Sequence, residues 1–497
     1  MQKRTFLTAL GSLPLLGLNS AWAQAMNGMD HSSHGMAAAT ATLAPVDALP
    51  AGAPLTNLVK LANTSAKPGL FRATLTAAPL TLPLIAAGLT ELWAYNASLP
   101  GPLIEVFEGD TVEIEFVNHL PQPSTIHWHG LPVPPEQDGN PQDAVAPGAS
   151  RLYTFTLPKG CAGTYWYHPH PHGHTAEQVY RGLAGTFIVR AKIDPLKDIP
   201  ERLLVCSDLK LNADGRVADN DANDDMNGRE GQFALVNAQR QPVLHFDAGG
   251  RERWRIWNAN SARYLHLSLP GAQLTLVGTD GGLLAQPVTG LTELLMAPAE
   301  RIEVIVDAPS QAGRVALVAG VVARGKMGDV KPDEPVTLMQ VDFGQPSGKP
   351  LPALPSKLRR IADLGPVKAK KRVVFSEKMS MAGGVHSMKF LVNGRQFDMN
   401  RFDLTSRINE VELWDIVNES DMDHPFHIHG TQFQVIEFER DGQVTQAPYR
   451  AWRDIVNVRS GETARIKLVQ HFKGPRMFHC HILEHENAGM MGQLKVV

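Results

Sequence analysis

One strand pattern occurs three times along the chain, and this repetition is the feature that most limits the folds open to it. In residues 111–118 and again in residues 411–418, apolar and polar side chains alternate, as is typical of a β-strand with one buried face. Each copy is followed at the same nine-residue step by a histidine, His127 in the first and His427 in the third. The chain is therefore expected to contain related β-sheet units that carry equivalent side chains.

The middle copy of this pattern lacks the histidines. Residues 252–258 lead to Leu267 and Leu269 at the positions where the other copies have a histidine pair. Three units of short strands separated by turn signals predict an all-β protein built from three antiparallel β-sandwiches. The middle unit is predicted to be a structural spacer.

Histidines occur in four pairs, and the two members of each pair are separated by a single residue. Side chains two positions apart on a strand point to the same face, so each pair can present two imidazoles to one site. Imidazole binds copper, zinc, iron and nickel, so the pairs alone do not select a metal. The four pairs are His127 and His129, His168 and His170, His427 and His429, and His479 and His481.

A cysteine selects the metal. Cys480 stands between the two histidines of the last pair, so on a strand its thiol faces away from both rings. Cys480, His485 and Met490 offer a thiolate, an imidazole and a thioether, and we assign His424 as the second imidazole. This is the ligand set of a blue copper electron-transfer centre. The segment therefore predicts two copper environments that are one residue apart.

The four histidine-rich segments resemble the copper-binding motifs of the multicopper oxidases, the group that includes laccases and copper-efflux oxidases. This resemblance implies three cupredoxin-like, antiparallel Greek-key β-sandwich domains. It also implies four copper ions, one in a blue site and three in a trinuclear cluster. In that family, electrons enter singly at the blue copper and pass through a Cys–His bridge to the cluster, where O2 is reduced to water.

The same resemblance gives each ligand a place. The implied ligands are His424, Cys480, His485 and Met490 for the blue copper, His127 and His427 for the lone cluster copper, His129, His168 and His481 for one copper of the coupled pair, and His170, His429 and His479 for the other. Because these ligands come from both end units, the cluster is expected to lie between the first and third domains and to lock them together.

Two acids are candidates for catalytic roles beside Cys480. Reduction of O2 to water consumes protons, which requires acids close to the cluster. Asp138, nine residues after His129, and Glu486, directly after His485, match family acids in that role. From the residues alone, an ordinary surface carboxylate is the other interpretation of each.

Domain limits follow from the repeat and from a Pro- and Lys-rich stretch that begins near residue 345. The predicted segments are a signal peptide (1–23), a Met/His-containing flexible tail (24–54), cupredoxin domain 1 with cluster ligands (55–195), cupredoxin domain 2 without copper ligands (196–345), a linker (346–372), and cupredoxin domain 3 with blue copper and cluster ligands (373–497).

The amino terminus predicts export to the periplasm or secretion. Lys3 and Arg4 precede a short apolar run, and cleavage is expected after Ala23. The basic start also resembles a twin-arginine signal with lysine in its first position. No segment is long enough to predict a membrane span. The Met/His tail could capture copper or act as a disordered spacer.

The electron donor has two candidates within the enzyme class. A laccase-like reading predicts phenols or aromatic amines, and Asp421 or Asp423 beside the blue site could accept a phenolic proton. Cuprous ion, oxidised for copper tolerance, is the alternative. Met422 matches a methionine of copper-efflux oxidases, but Ser420 replaces the acid that those proteins have at this position. A copper-storage protein is an alternative of another class, although storage does not require a Cys–His bridge.

The remaining partners are restricted by charge and composition. A net charge of -3 gives no reason to expect a nucleic-acid partner. We expect a monomer that uses O2 and a small reducing substrate. Cys161 and Cys206 could form a disulfide in an exported protein or remain two buried thiols, and the sequence leaves both open.

Overall fold

β-Strands dominate the computed structural model, which describes residues 42–497 except 347, 349, 383 and 384. The described strands form six sheets, which confirms the predicted all-β class. The described helices are short, namely α1 (Thr175–Tyr180), α2 (Ala222–Asn227), α3 (Leu483–Asn487) and two 3-10 turns (Pro135–Gln137 and Pro141–Asp143). Among the described residues, no helix is both long and apolar enough to cross a bilayer.

The first unit consists of two four-stranded sheets. Its strands are β1 (Leu70–Ile85), β2 (Gly88–Tyr95), β3 (Gly101–Phe107), β4 (Thr111–Asn118), β5 (His127–His129), β6 (Ser150–Thr156), β7 (Gly163–His168) and β8 (Gly185–Arg190). The strand orders are β2-β1-β4-β6 and β3-β8-β7-β5. Phe116 from one sheet and Trp128 and Phe187 from the other belong to one buried core, so the sheets form a sandwich.

The middle unit is a larger sandwich with sheet orders β11-β10-β9-β13-β18-β15-β16 and β12-β20-β19-β14-β17. Its strands are β9 (Glu201–Leu209), β10 (Phe233–Val236), β11 (Gln239–Arg240), β12 (Val243–Asp247), β13 (Arg251–Asn258), β14 (Leu265–Ser268), β15 (Gln273–Thr279), β16 (Gly282–Leu291), β17 (Glu293–Met296), β18 (Arg301–Asp307), β19 (Gly313–Gly320) and β20 (Val336–Gly344). Leu267 and Leu269, which replace a histidine pair, are buried in its core. These positions contribute apolar packing rather than ligands.

The third unit has sheet orders β22-β21-β24-β29-β26-β27 and β23-β31-β30-β25-β28. Its strands are β21 (Ala369–Ala382), β22 (Val385–Val392), β23 (Leu404–Ser406), β24 (Val411–Asn418), β25 (His424–Ile428), β26 (Phe433–Arg440), β27 (Gln443–Gln446), β28 (Ile455–Val458), β29 (Glu462–Val469), β30 (Gly474–Cys480) and β31 (Met491–Val496). Trp414, Ile466 and Phe478 belong to the core of this sandwich.

Each of the six sheets contains one parallel strand pair, which the alternating pattern could not reveal. The pairs are β1 with β4, β3 with β8, β9 with β13, β12 with β20, β21 with β24, and β23 with β31. Two parallel neighbouring strands cannot be joined by a tight hairpin, so the chain must cross over between them before it returns to the same sheet. Since the pairs occupy equivalent places in the three units, one connectivity is repeated three times.

This repeated connectivity places the histidine motifs on neighbouring strands. In the first unit β5 pairs with β7, and His127 lies directly opposite His168. In the third unit β25 pairs with β30, and His427 lies directly opposite His479. Motifs that are far apart in sequence thus become cross-strand neighbours in each end unit.

Residues 43–54 differ from the expected flexible tail. Isolated β-bridges join Leu43, Ala51 and Pro54 to the middle unit. Ala44 and Leu49 are buried in an apolar cluster. This part of the segment is fixed because its apolar side chains find a surface to cover. The predicted signal peptide and the Met and His residues between 26 and 36 lie outside the described residues.

The two additional cysteines are free thiols. Cys161 belongs to the core of the first unit and Cys206 to the core of the middle unit. Of the two alternatives left open by the sequence, two separate buried thiols is the one found.

Candidate functional site

The predicted blue-site side chains converge in the third unit. Cys480 ends β30, His424 begins β25, and His485 lies in α3. The Cys480 Sγ is 3.3 Å from His424 Nδ1 and 3.9 Å from His485 Nδ1. All three side chains are fully buried, and their ligand atoms are close enough to share one metal ion. The Cys480 amide donates to the carbonyl of Met490 at 3.0 Å, and both side chains belong to the same buried cluster, so the fourth predicted residue is a neighbour of Cys480.

Burial favours the uncharged forms of the groups in this pocket. Burial raises the pKa of the Cys480 thiol, and it lowers the pKa of His424 to about 3. A neutral imidazole is a competent ligand, whereas a buried thiolate needs a nearby positive charge to be stable. Copper would supply that charge.

Eight histidines from the first and third units meet in a second buried group. His127 Nε2 and His427 Nε2 are 3.3 Å apart, as expected for the two ligands of one ion. His479 Nε2 lies 3.3 Å from His170 Nε2 and 3.1 Å from His429 Nε2. These distances bring together two of the three ligand groups that the resemblance implied.

The ring nitrogens of the third implied ligand group lie farther apart than those of the other two groups. The His481 ring centroid is 5.0 Å from that of His129 and 5.8 Å from that of His168. Trp166 stacks on His129 and His168 with centroid distances of 4.6 and 4.2 Å and holds both rings in place. The ring nitrogens of His129 and His168 lie close enough to share one metal ion with His127, rather than with His481.

The hydrogen bonds of the rings fit a metal cluster. Metal-binding histidines usually donate one ring N–H to an oxygen and keep the other nitrogen for the metal. Four rings have this arrangement, with Nδ1 near a backbone carbonyl: His127 to Asp138 at 3.1 Å, His168 to Pro169 at 2.8 Å, His427 to Asp454 at 2.8 Å and His479 to Cys480 at 2.9 Å.

Unsatisfied nitrogens point to the same conclusion. His168 Nε2 and both ring nitrogens of His481 are buried without a hydrogen-bond partner. Burial also lowers the pKa of both rings well below the usual range, so they are neutral. Buried polar atoms without partners are costly, and metal ions would satisfy these.

Both predicted acids border the cluster. Asp138 is fully buried, with Oδ1 3.0 Å from His127 Nδ1 and Oδ2 3.3 Å from the Arg476 guanidinium. Glu486 is 2% exposed and lies 3.4 Å from His170 Nε2 and 3.2 Å from His479 Nδ1. Burial raises the pKa of Glu486 to about 8. Neither residue is a surface carboxylate.

A third acid was missed by the sequence analysis. Asp454 Oδ1 is 3.0 Å from His129 Nε2, and its carboxylate is held by Arg301 of the middle unit through a 2.7 Å bond. Both side chains are fully buried. Neither Asp454 nor Arg301 belongs to one of the histidine motifs. The middle unit therefore supports the cluster although it supplies no histidine to it.

The comparisons with known proteins agree with this geometry. Multicopper oxidase family profiles match residues 83–194, 207–340 and 370–497. The chain belongs to the multicopper oxidase family. It is therefore a copper-dependent oxidoreductase that uses O2 as acceptor, and its family carries four coppers.

Several relatives share most of its length. The chain is 33% identical over 418 residues to multicopper oxidase mco of Staphylococcus aureus, covering 81% of this chain and 83% of the relative. It is 26% identical over 474 residues to a laccase of Bacillus subtilis, covering 82% and 90%. A solved structure described as a multicopper oxidase from Campylobacter jejuni, a metallo-oxidase, is 42% identical with a TM-score of 0.88 and covers 92% of this chain and 98% of that one. These likenesses confirm three cupredoxin-like domains.

Proposed function

We propose that this oxidase takes single electrons from a small phenolic or aromatic donor at a blue copper and delivers them to O2 at a trinuclear cluster. One observation carries the proposal. Cys480 Sγ lies 3.3 Å from His424, while the adjacent His479 ring lies within 3.3 Å of two cluster histidines. A single peptide link therefore joins the electron-accepting site to the O2 site.

The proposed ligands are the twelve side chains assigned from the sequence. His424, Cys480, His485 and Met490 would hold the blue copper, and the four histidine pairs would hold the cluster. Copper supplies the one-electron chemistry and the binding of O2. The protein holds eight imidazoles in a buried pocket that excludes most water, and it fixes their orientation through carbonyl and carboxylate partners.

Asp138 and Glu486 are proposed to handle protons. Each lies beside a different part of the histidine group, Asp138 at His127 and Glu486 at His170 and His479. A buried carboxyl whose pKa is raised toward neutrality can both hold and release a proton at working pH. Glu486 meets that requirement, with a pKa of about 8.

Cuprous ion is the second candidate donor. The relative from Campylobacter jejuni is described as a metallo-oxidase. Buried Met422 belongs to the apolar cluster that contains Cys480 and Met490, and Met327 and Met388 pack against that cluster. Thioethers are suitable ligands for cuprous ion. The His485 Nε2 is also covered, at 3.1 Å, by the carbonyl of Met226 in α2, which limits the space for a large donor.

Oxygen-electrode kinetics on the copper-loaded protein test the donor. The measurement compares a phenol with cuprous ion, each with and without added cupric ion. Phenol turnover that is unaffected by added cupric ion supports the laccase-like proposal. Phenol turnover that appears only with added cupric ion would instead identify an obligate cuprous oxidase, and copper uptake without any O2 consumption would support storage.

We also propose that the chain acts in the periplasm or outside the cell, as a monomer. The support is the basic, apolar start of the sequence and the small-residue site at Ala23. Amino-terminal sequencing of the mature protein tests the cleavage, and sedimentation equilibrium tests the monomer.

A further inference from the structure

A loop of the middle unit packs against the start of β25, where His424 lies. Arg324 belongs to this loop, between β19 and β20, and its carbonyl accepts from the Asp423 amide at 2.9 Å. Gly325 follows with a φ angle of 78°, and a Cβ at this position would lie 2.1 Å from the Asp421 carbonyl oxygen. This close approach holds the backbone of Arg324 beside the blue site.

The side chain of Arg324 reaches the segment that covers His485. Its Nη2 donates at 2.6 Å to the carbonyl of Asn227, the last residue of α2. The preceding residue, Met226, places its own carbonyl 3.1 Å from His485 Nε2. Arg324 therefore contacts the immediate neighbours of both blue-site histidines.

Tyr264 helps to hold the guanidinium in this position. The Arg324 Cζ lies 5.8 Å from the centre of the Tyr264 ring, within the range of a cation–π contact. The Tyr264 hydroxyl donates to Asn457 Oδ1 at 2.8 Å, and the Asn457 amide donates to Asp423 Oδ2 at 3.0 Å. This chain of contacts leads back to the residue before His424.

The charge of Arg324 is buried and only partly neutralised. Arg324 is 2% exposed, and a guanidinium keeps its charge inside a protein. Among the described residues, its carboxylate partner is Glu230 at 2.8 Å, which also pairs with Lys326 at 3.0 Å and with Arg263 at 3.4 Å. Three cations thus share one carboxylate. The Nε and Nη1 atoms of Arg324 have no partner and are enclosed by protein, so the guanidinium acts through its charge rather than by binding a ligand.

This charge acts on all three metal-binding side chains. Burial first, and then the Arg324 charge, lower the pKa of His424 to about 3. Burial, His424 and Arg324 together lower the pKa of His485 well below its usual range. At Cys480 the same charge opposes the burial that raises the pKa of the thiol. A cation that disfavours an added proton on these rings also disfavours the more positive, oxidised state of a copper ion bound to them.

We propose that Arg324 raises the reduction potential of the blue copper and so makes it a stronger electron acceptor. This inference rests on the proposed blue copper at His424, Cys480 and His485. Reduction transfers one electron from the donor to cupric ion and lowers the charge of the site by one, so a nearby cation stabilises the cuprous product. The middle unit then serves the blue site through Arg324, as it serves the cluster through Arg301.

A redox titration of the copper-loaded protein, followed by the blue absorption, tests the proposal. Arg324→Gln removes the charge and keeps a donor for the Asn227 carbonyl. It should lower the equilibrium constant for reduction of the blue copper roughly tenfold, which is about 59 mV for a one-electron couple. Arg324→Lys keeps the charge and should stay within roughly threefold of the unsubstituted protein. An unchanged potential in Arg324→Gln, or an equal loss in Arg324→Lys, would overturn the proposal.

A variant of the counter-charge tests the sign of the effect. Glu230→Gln leaves the Arg324 charge less neutralised, and it should raise the equilibrium constant for reduction by roughly threefold. A loosened loop would instead move the potential in the same direction in Glu230→Gln and Arg324→Gln. A lower potential in both variants would therefore contradict an electrostatic role.

Arg253→Gln is the matched control for the loss of a buried arginine. Arg253 lies in β13 of the middle unit, is 3% exposed and pairs with Asp194 at 2.6 Å. Its loss should destabilise the protein but leave the potential of the blue copper unchanged. If the potential falls as far as in Arg324→Gln, lost stability is the cause and the proposal is refuted.

The unsubstituted protein separates this inference from the proposed function. Copper-loaded protein without a blue absorption would refute the proposed blue site, and the role of Arg324 with it. A blue absorption that is present in every variant at one common potential would refute the role of Arg324 alone. The proposed function would then stand.

Discussion

Cys480 is joined through its backbone to one histidine on each side, and this connection decides how the two copper environments communicate. Its side chain is buried with His424 and His485, whereas His479 and His481 belong to the cluster group. The alternation of side chains along β30 produces this separation. A change confined to the thiol should therefore affect one site without dismantling the other.

Cys480→Ser is expected to abolish the blue absorption and reduce donor oxidation at least a thousandfold, while cluster copper is retained. A hydroxyl is a poor ligand for this metal, but the eight imidazoles are unchanged. Copper analysis should find three ions per chain instead of four. Cys161→Ser, which alters a free thiol in the first unit, should retain both colour and activity. Loss of all copper from Cys480→Ser would mean that the two sites are not separable.

The residues that sequence could predict are those with a fixed spacing. All twelve proposed ligands belong to short motifs, and the structure brings them into two buried groups. Asp454 escaped notice because its partner His129 is 325 residues away along the chain. Arg301 could not be identified from the sequence, because a buried ion pair leaves no periodic pattern. Contacts of this kind depend on how the units pack, which the alternation within a strand does not determine.

At the scale of elements, equivalent glycines follow the histidine pairs in the first and third units. Gly130 and Gly430 both have positive φ angles, of 82° and 57°. A Cβ on Gly130 would lie 2.1 Å from Asp454 Oδ2, and one on Gly430 would lie 2.2 Å from the Arg476 guanidinium. Each glycine therefore lets a buried charged side chain approach the end of a histidine strand. The close contacts at these glycines and the parallel strand pairs both depend on how the strands are connected. Neither could be inferred from the sequence of a single strand.

Gly130→Ala is expected to destabilise the protein by about 3 kcal/mol or more and to lower cluster copper. The positive φ is strained for alanine, and the clash would displace the Asp454 carboxylate from Arg301, leaving a buried charge poorly paired. Gly461→Ala is the control, because Gly461 has a φ of 72° but no atom within 4 Å of its Cβ position. It should cost about 1 kcal/mol and leave copper content unchanged. Denaturant unfolding and copper analysis measure both effects, and equal copper loss in the two variants would show that backbone strain, not the clash, is responsible.

At the scale of the whole molecule, the cluster histidines come equally from the first and third units, while the middle unit contributes Arg301 behind Asp454. The sequence predicted that the cluster would lie between the end units, and the 3.3 Å approaches of His127 to His427 and of His170 to His479 cross that boundary. The eight imidazoles in this pocket provide little cohesion of their own, since several of their nitrogens have no hydrogen-bond partner there. Metal binding is therefore expected to contribute much of the attraction between the end units.

Removal of copper by a chelator should lower the unfolding temperature, and the effect should be concentrated at the boundary between the end units. An ion that binds only the folded state stabilises it by about 4 kcal/mol when its free concentration is a thousand times its Kd. Hydrogen exchange should become faster for the amides of β5 and β25, whereas β13, in the core of the middle unit, should keep its protection. Cys480→Ser, if it retains the cluster, should exchange like the copper-loaded protein at β5. Equal loss of protection in β5 and β13 on chelation would instead mean that copper stabilises the chain as a whole, and the first and third units would then be held together by their packing rather than by the shared metal.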